Sequence, residues 1–243
     1  LRIMSWNVRR GVSAKSGEGG QAPAAHWLGH LTLEHRPHAI LLQEWTRTSP
    51  VPDGYFLPVD IPRATAGNRQ GFPSACVVIR EDLRDLYVGG NAYSVPHKGS
   101  WARASILVAA GPIHFVSVHA PTFSCREAFL DWFDSLMGDS NDSTREGDPV
   151  LLGGDHNSPW HTDSSRPART GPEADHRRDD DAARRGSYEA EAFDASTLLG
   201  RDHLTHWSEN GRRSEYDYFQ ARHVDLHSAQ PSTIISARNK GSD

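Results

Sequence analysis

Cysteine and long apolar runs are scarce in this 243-residue chain, and each scarcity excludes a class of protein. The two cysteines, Cys76 and Cys125, are too few for a disulfide-stapled scaffold and have no metal-ligand spacing. No apolar run approaches the roughly 20 residues that a membrane-spanning helix needs. Residues 1–6 have the pattern of a strand and not of a signal peptide. We therefore expect a soluble cytoplasmic chain, with secretion after removal of a signal as the open alternative.

Basic charge is also limited, because 26 Lys+Arg stand against 31 Asp+Glu and give a net charge of −5 at pH 7. An acidic chain attracts polyphosphate poorly. Any contact with nucleic acid would therefore depend on local arginines or on a bound metal ion. Hydrophobic residues make up 37% of the chain, which is enough for a buried core. The length suits one domain, which we expect to be monomeric.

Short apolar runs rich in β-branched residues recur along the chain, bounded by Gly, Pro, Asn or Asp, as is typical of strands. They lie at residues 1–8, 39–43, 75–79, 105–109, 113–118, 150–152, 216–219 and 233–235. Apolar periodicity predicts helices at residues 24–35, 126–137 and 187–199, the last followed by Gly200 as a C-cap. Many strands with few helices favour an α/β sandwich of packed layers, and strict βαβ alternation is missing.

Polar side chains stand at or near the ends of several of these apolar strands. They are Asn7, Glu44, His119, Asp155, Asn157 and Asp217. Taken singly, each is more often a turn former or a structural residue than a catalyst. Together they would build a polar cluster over an apolar floor, with the hard oxygen ligands that Mg²⁺ or Mn²⁺ prefer. Such a cluster fits hydrolysis of a phosphate ester, in which the metal stabilises charge and a carboxylate orients water.

The order of these motifs resembles the endonuclease/exonuclease/phosphatase family, which includes deoxyribonuclease-I-like nucleases, abasic-site endonucleases, sphingomyelinases and inositol-polyphosphate phosphatases. The resemblance is carried by Trp-Asn7, Leu-Gln-Glu44, His119-Ala-Pro, Gly-Asp155-x-Asn157, Tyr-Asp217-Tyr and Gly-Ser-Asp243. These motifs cover essentially the whole chain. They imply a four-layer α/β sandwich of two packed mixed β-sheets flanked by helices, in a single domain over residues 1–243.

The same resemblance implies a metal site. Glu44 matches the principal ligand of the metal ion. Asn7 and Asp243 match positions that help to bind the metal or orient its waters. The implied cofactor is Mg²⁺, with Mn²⁺ as the alternative.

Four further residues match catalytic positions of the family. Asp155 corresponds to the residue that orients or activates the nucleophilic water, and Asn157 to a donor that steadies Asp155 and the phosphoryl group. His119 corresponds to a residue that assists leaving-group protonation or phosphate binding. Asp217 corresponds to the carboxylate that holds a catalytic histidine in its tautomer.

The sequence departs from the family pattern at its end. The family has Ser-Asp-His followed by a last apolar strand, whereas this sequence stops at Asp243. We expect that the domain as given lacks its final His-bearing strand. Either the sequence is cut just before the histidine, or the protein ends there and is impaired or inactive. Two arginines are candidate phosphate ligands: Arg9 directly after the first strand, and Arg103 at the start of another.

Three functions follow as hypotheses. The first is a metal-dependent phosphodiesterase acting on nucleic acid, with a DNA endonuclease as its leading form. The second keeps the scaffold but takes a small phosphoester, such as a phospholipid headgroup, an inositol phosphate or a nucleotide, which suits the acidic net charge. The third is a catalytically impaired binding module on the same fold.

Overall fold

The computed structural model describes residues 1–8, 23–46, 49–60, 74–95, 99–121 and 126–157. Towards the C-terminus it describes residues 169–170, 197–199, 206–207, 213–214 and 217–223. None of the helices in these ranges is long and apolar enough to cross a membrane.

A four-stranded mixed sheet forms the first half of the described fold. Its strands are β1 (Ile3–Asn7), β2 (Ala39–Trp45), β3 (Tyr55–Phe56) and β4 (Ser74–Arg80). The order across the sheet is β1-β2-β4-β3. β1 and β2 run parallel, so both end at the same edge, and β4 is antiparallel to β2 and β3.

A six-stranded mixed sheet packs against the first. Its strands are β5 (Tyr87–Ser94), β6 (Ser100–Val108), β7 (Gly111–His119), β8 (Val150–Asp155), β10 (Thr197–Leu199) and β13 (Asp217–Arg222). The order is β10-β13-β8-β7-β6-β5, with only β7 and β8 parallel. A 3-10 helix, Glu81–Leu86, joins the two sheets between β4 and β5. A third, small sheet contains β9 (Arg169–Thr170), β11 (His206–Trp207) and β12 (Arg213–Ser214).

Alternation of side chains along the strands divides the core into three apolar layers. The layer between the sheets includes Leu41 and Val77 from one sheet and Phe115 and Leu151 from the other. Two helices cover the outer faces. Helix α1 (Pro23–His35) places Leu28 on the four-stranded sheet.

Helix α2 (Arg126–Ser143) covers the outer face of the six-stranded sheet with an aromatic stripe. Phe129, Trp132, Phe133 and Leu136 follow the i, i+3, i+4, i+7 spacing of a buried helix face. They pack on Val116 and neighbouring residues of the sheet. The described chain is thus a helix–sheet–sheet–helix sandwich, which confirms the expected four-layer architecture.

Most of the predicted strands are confirmed, and two helices start within one residue of their predicted positions. The prediction of a helix at residues 187–199 is wrong at its end, because Thr197–Leu199 is strand β10. There Thr197 pairs with Ala221 of β13, so tertiary pairing overrides the local apolar period. Strand β5 was not anticipated, because two glycines and exposed positions interrupt its apolar pattern. The strand predicted at residues 233–235 lies outside the described residues.

Candidate functional site

The polar strand ends of the two sheets meet at one edge of the sandwich. β1 and β2 end there with Asn7 paired beside Gln43. In the other sheet, His119 at the end of β7 is paired with Asp155 at the end of β8. Asn7 Nδ2 donates a hydrogen bond of 2.9 Å to Asp155 Oδ2. This bond joins residues 148 positions apart and connects the two sheets.

The Asp155 carboxylate is held through both of its oxygens. Oδ2 accepts from Asn7, and Oδ1 accepts from the main-chain amide of Asn157 at 3.0 Å. The side chain is half-buried, so these bonds are less exposed to competing water than those of a surface carboxylate. Their combined effect is to fix the direction in which the carboxylate points.

Asn157 connects the loop after β8 to the loop after β7 by a hydrogen bond. Its backbone has φ +47°, in the left-handed region that Asn tolerates better than most residues. Its Nδ2 donates to the Ala120 carbonyl at 2.7 Å, and Ala120 N donates to the Asp155 carbonyl at 2.9 Å. Asn157 therefore steadies Asp155 through its main-chain amide. Its side-chain amide donates to the Ala120 carbonyl.

Glu44 lies at a bulge at the end of β2. Leu42 pairs with Cys76 and Trp45 with Ser74, so β2 carries one extra residue between these pairs. Glu44 has φ +54°, a conformation that costs a non-glycine residue about 1–3 kcal/mol and is often found at active sites.

The bulge also changes which way the side chains around Glu44 face. Gln43 faces inward, yet Trp45 packs in the outer layer with Leu42. In a regular strand, Gln43 and Trp45 would lie on the same face. The extra residue therefore ends the alternation at Glu44, a half-buried residue at the edge where β1 ends with Asn7.

His119 is half-buried and two residues beyond Ser117 on β7. Ser117 Oγ reaches across to the Leu42 carbonyl of the other sheet at 3.0 Å, so this face of β7 is the inner one. By alternation, His119 lies on the same inner face, beside Asp155 on the neighbouring strand.

Three expected site residues are described in part or not at all. The main chain of Asp217, at the start of β13, is paired with Asp155, which brings the backbone of both acids to the same edge. The side chain of Asp217 lies outside the described residues, as do Arg9 and Asp243.

Arg103, expected to bind substrate, is placed elsewhere. It lies on β6 beneath α2, with its side chain only 10% exposed. Its Nε donates to Asp139 at 2.6 Å, its Nη1 to Ser105 at 2.8 Å and its Nη2 to Ser143 at 2.8 Å. The alternation of β6 turns Arg103 to the outer face of the sheet, because Trp101, two residues before it, packs against α2.

Arg103 is the start of a buried polar chain that sequence reasoning missed. Ser105 Oγ lies 2.8 Å from His114 Nδ1, and His114 Nε2 lies 3.3 Å from Asp148 Oδ2. Because Arg103 donates to Ser105 Oγ, the hydroxyl hydrogen is available to His114 Nδ1. Burial lowers the pKa of His114 and outweighs the hydrogen bond to Asp148, which raises it. Arg103, Ser105 and His114 are buried beneath the outer layer, and the Asp148 side chain at the end of the chain is 14% exposed.

The oxygen donors at the edge fit a small, hard cation. Within the described part of the chain, no three His, Cys, Asp or Glu side chains are grouped as a metal site. Mg²⁺ needs fewer, since it keeps several waters and binds through one or two carboxylates. Glu44 and Asp155 are carboxylates of this kind, and Asn7 adds an amide oxygen. Among the described residues, no cysteine belongs to this group of donors. Cys76 is buried in the apolar layer beneath α1.

Solved structures share this fold. The endonuclease domain of TRAS1, a telomere-specific non-LTR retrotransposon, matches with a TM-score of 0.55 at 15% identity, over 90% of this chain and 84% of that one. An endonuclease/exonuclease/phosphatase family protein from Leptotrichia buccalis matches with 0.54 at 13%, over 91% and 87%. TDP2 from D. rerio, complexed with single strand DNA product, matches with 0.54 at 13%, over 91% and 83%.

No protein-family model and no curated protein sequence matches the chain. The structural matches establish that the chain has the fold of endonuclease/exonuclease/phosphatase proteins, as the order of its motifs predicted.

Proposed function

We propose that this chain is a divalent-metal-dependent phosphodiesterase that cleaves DNA by one-step, in-line attack of water. The observation that carries the proposal is the Asn7–Asp155 hydrogen bond of 2.9 Å. It brings an amide from one sheet and a carboxylate from the other to the edge where Glu44 and His119 also stand. The nucleic-acid substrate is favoured by two neighbours in fold, a retrotransposon endonuclease domain and TDP2 with a DNA product.

Asp155 is the residue that prepares the attacking water. A carboxylate offers about four lone-pair positions, of which Asn7 and the Asn157 amide use two. The others can accept a hydrogen bond from water and then its proton. As the water oxygen bonds to phosphorus, the bond from phosphorus to the leaving ester oxygen breaks.

The remaining roles follow from position. Glu44 and Asn7, with Asp243, would hold Mg²⁺ or Mn²⁺. When bound, the ion would stabilise negative charge on the phosphoryl oxygens. His119 would bind the phosphate or protonate the leaving oxygen, and Asp217 would hold a catalytic histidine in its tautomer.

Phosphate recognition by arginine is assigned to Arg9, two residues beyond the end of β1. Arg103 is left out of the proposed site, because its guanidinium is engaged beneath α2.

A small phosphoester is the second candidate substrate. The net charge of −5 at pH 7 favours it, since binding of a long polyanion gains from a basic surface. The chemistry at the phosphorus would be the same, so only the substrate distinguishes the two.

The test is cleavage of supercoiled plasmid by the purified intact protein with Mg²⁺ or Mn²⁺. EDTA should abolish nicking, and Asp155→Asn should lower the rate by about 10²–10⁴-fold, as expected when a general base is lost. Asp134→Asn is the matched control, because Asp134 is exposed on α2, on the outer layer of the sandwich. Cleavage that persists in EDTA would contradict the metal mechanism.

A substrate panel separates the candidates. Plasmid, RNA, sphingomyelin and free nucleotides are compared at equal enzyme concentration. Hydrolysis of a small ester alone would replace DNA as the substrate, and inactivity on every member would favour a binding module.

A further inference from the structure

A buried polar layer lies between the sheets beneath the candidate site. At its centre is Gln43, whose side chain is fully buried. Its Nε2 lies 3.0 Å from the Leu41 carbonyl, 3.0 Å from Ser117 Oγ and 3.3 Å from Ser5 Oγ. Ser117 Oγ in turn donates to the Leu42 carbonyl at 3.0 Å. Gln43 on β2 is thus bonded to β1 in its own sheet and to β7 in the other.

The partners of Gln43 stand one layer below the site residues. Ser5 precedes Asn7 by two positions on β1, and Ser117 precedes His119 by two on β7. Residues two apart on a strand share a face. The polar layer is therefore directly below the strand ends that form the site, and Gln43 itself precedes Glu44.

Strand β8 approaches the same amide. At Gly154, next to Asp155, an added Cβ would overlap the Val118 carbonyl oxygen and lie 2.9 Å from Gln43 Nε2. The glycine allows β8 to lie this close to the Gln43 side chain. Strands β1 and β7 therefore bond to the Gln43 amide of β2, and strand β8 approaches it at Gly154.

A polar side chain such as that of Gln43 is unusual in the buried space between two packed sheets. The inner layers on the side away from the site are apolar, with Leu41, Ala39 and Phe115 facing inward. Burial of apolar surface stabilises the packed sheets, but this contribution is not directional. Hydrogen bonds have narrow ranges of distance and angle, so they fix where one sheet stands against the other.

We propose that Gln43 is a positioning residue of the active site. Its amide sets the register and separation of the two sheets one layer below the Asn7–Asp155 bond. Glu44 and Asn7 are thereby held at the correct distance from Asp155 and His119. The inference rests on the proposed hydrolytic function.

The experiment replaces Gln43 by methionine, which keeps the length and apolar stem and removes the amide. Gln220→Met is the matched control: Gln220 is 1% exposed and follows Phe219, which packs in the inner layer, so Gln220 lies on the opposite face of the six-stranded sheet. We expect Gln43→Met to lower kcat by up to about 100-fold, since displacements near 1 Å can cost that much, with KM little changed. Gln220→Met should leave both constants near wild type.

A double-mutant cycle provides the readout that a general loss of stability would not produce. Ser117→Ala removes one partner with little change in volume and serves if Gln43→Met does not fold. Its kcat should fall by a smaller factor, and the combination with Gln43→Met should be less than multiplicative, because both remove the same contact. When Ser117→Ala is instead combined with Gln220→Met, the effects on kcat should multiply, because the two residues share no contact.

The outcomes separate the two proposals. An active wild type together with unchanged kcat in Gln43→Met and Ser117→Ala would overturn the positioning role alone. Absence of hydrolysis by the wild type on every substrate would overturn the proposed function and the positioning role with it.

Discussion

Gly154→Ala tests how closely β8 is fitted against the rest of the sandwich. Gly154 has φ +147°, a conformation that L side chains rarely adopt. An alanine there would destabilise the folded state through this backbone conformation, and its Cβ would also overlap the Val118 carbonyl oxygen on β7. Its Cβ would in addition lie 2.9 Å from Gln43 Nε2.

The two penalties can be separated with Gly89→Ala. Gly89 has nearly the same conformation, φ +145°, but no atom lies within 4 Å of an added Cβ. The backbone term, about 1–3 kcal/mol, is therefore common to both variants. Only Gly154→Ala adds the overlap, about 1–3 kcal/mol on the scale of overpacked cores.

We expect Gly154→Ala to unfold with a free energy about 2 kcal/mol below that of Gly89→Ala. For a chain of this size, 1 kcal/mol shifts Tm by about 2–4 °C, so the two variants should differ by roughly 4–8 °C. The assay is thermal and urea unfolding of wild type and both variants, followed by circular dichroism. Equal stability of the two variants would refute the close approach of β8 to β7 and Gln43.

Two further predictions concern the buried chain beneath α2. The lowered pKa of His114 means that the unfolded chain binds a proton more readily than the folded chain. Stability should therefore fall as pH drops from about 6.5 towards the lowered pKa, and His114→Gln should flatten the Tm–pH profile in this window. An unchanged profile would contradict burial of a neutral His114. Arg103→Met should cost about 3–5 kcal/mol, because it leaves Asp139, 8% exposed, without its cation. Adding Asp139→Leu should recover much of that loss in urea unfolding, while kcat per folded molecule should stay near wild type in both. If Arg103→Met instead raised only the KM for DNA, Arg103 would be a substrate-binding residue and this prediction would be wrong.

Sequence reasoning identified the strands well where their apolar runs were continuous. Residues 39–43 and 150–152 read as strands because both faces are buried, one against the other sheet and one against a helix. Strand β5 was not predicted, because this edge strand contains Gly89 and Gly90 and has neither a continuous apolar run nor a regular alternation of apolar and polar residues. Residues 197–199 were assigned to a helix, because a local apolar period carries no information about strand partners 20 to 24 residues away.

The residues of the candidate site likewise include some that the sequence identified and some that it did not. Asn7, Glu44, His119 and Asp155 were all recognisable as polar residues at or just beyond the ends of apolar strands. The direction of Arg103 was not, because a strand start alone does not say which face meets α2. Gln43 was missed although it is a polar residue within an apolar run, which was the available signal.

The sequence alone determined the local features of this protein: its strands, the order of its polar motifs and the chemistry of their oxygen donors. These depend on residue types and short spacings, which are complete in the chain itself. Only the tertiary structure decided that Asn7 bonds Asp155, that a bulge carries Glu44 to the same edge, and that Gln43 ties the sheets below them. The physical reason is that these contacts join residues 74 to 148 positions apart or depend on strand register, and both arise only when two sheets pack face to face.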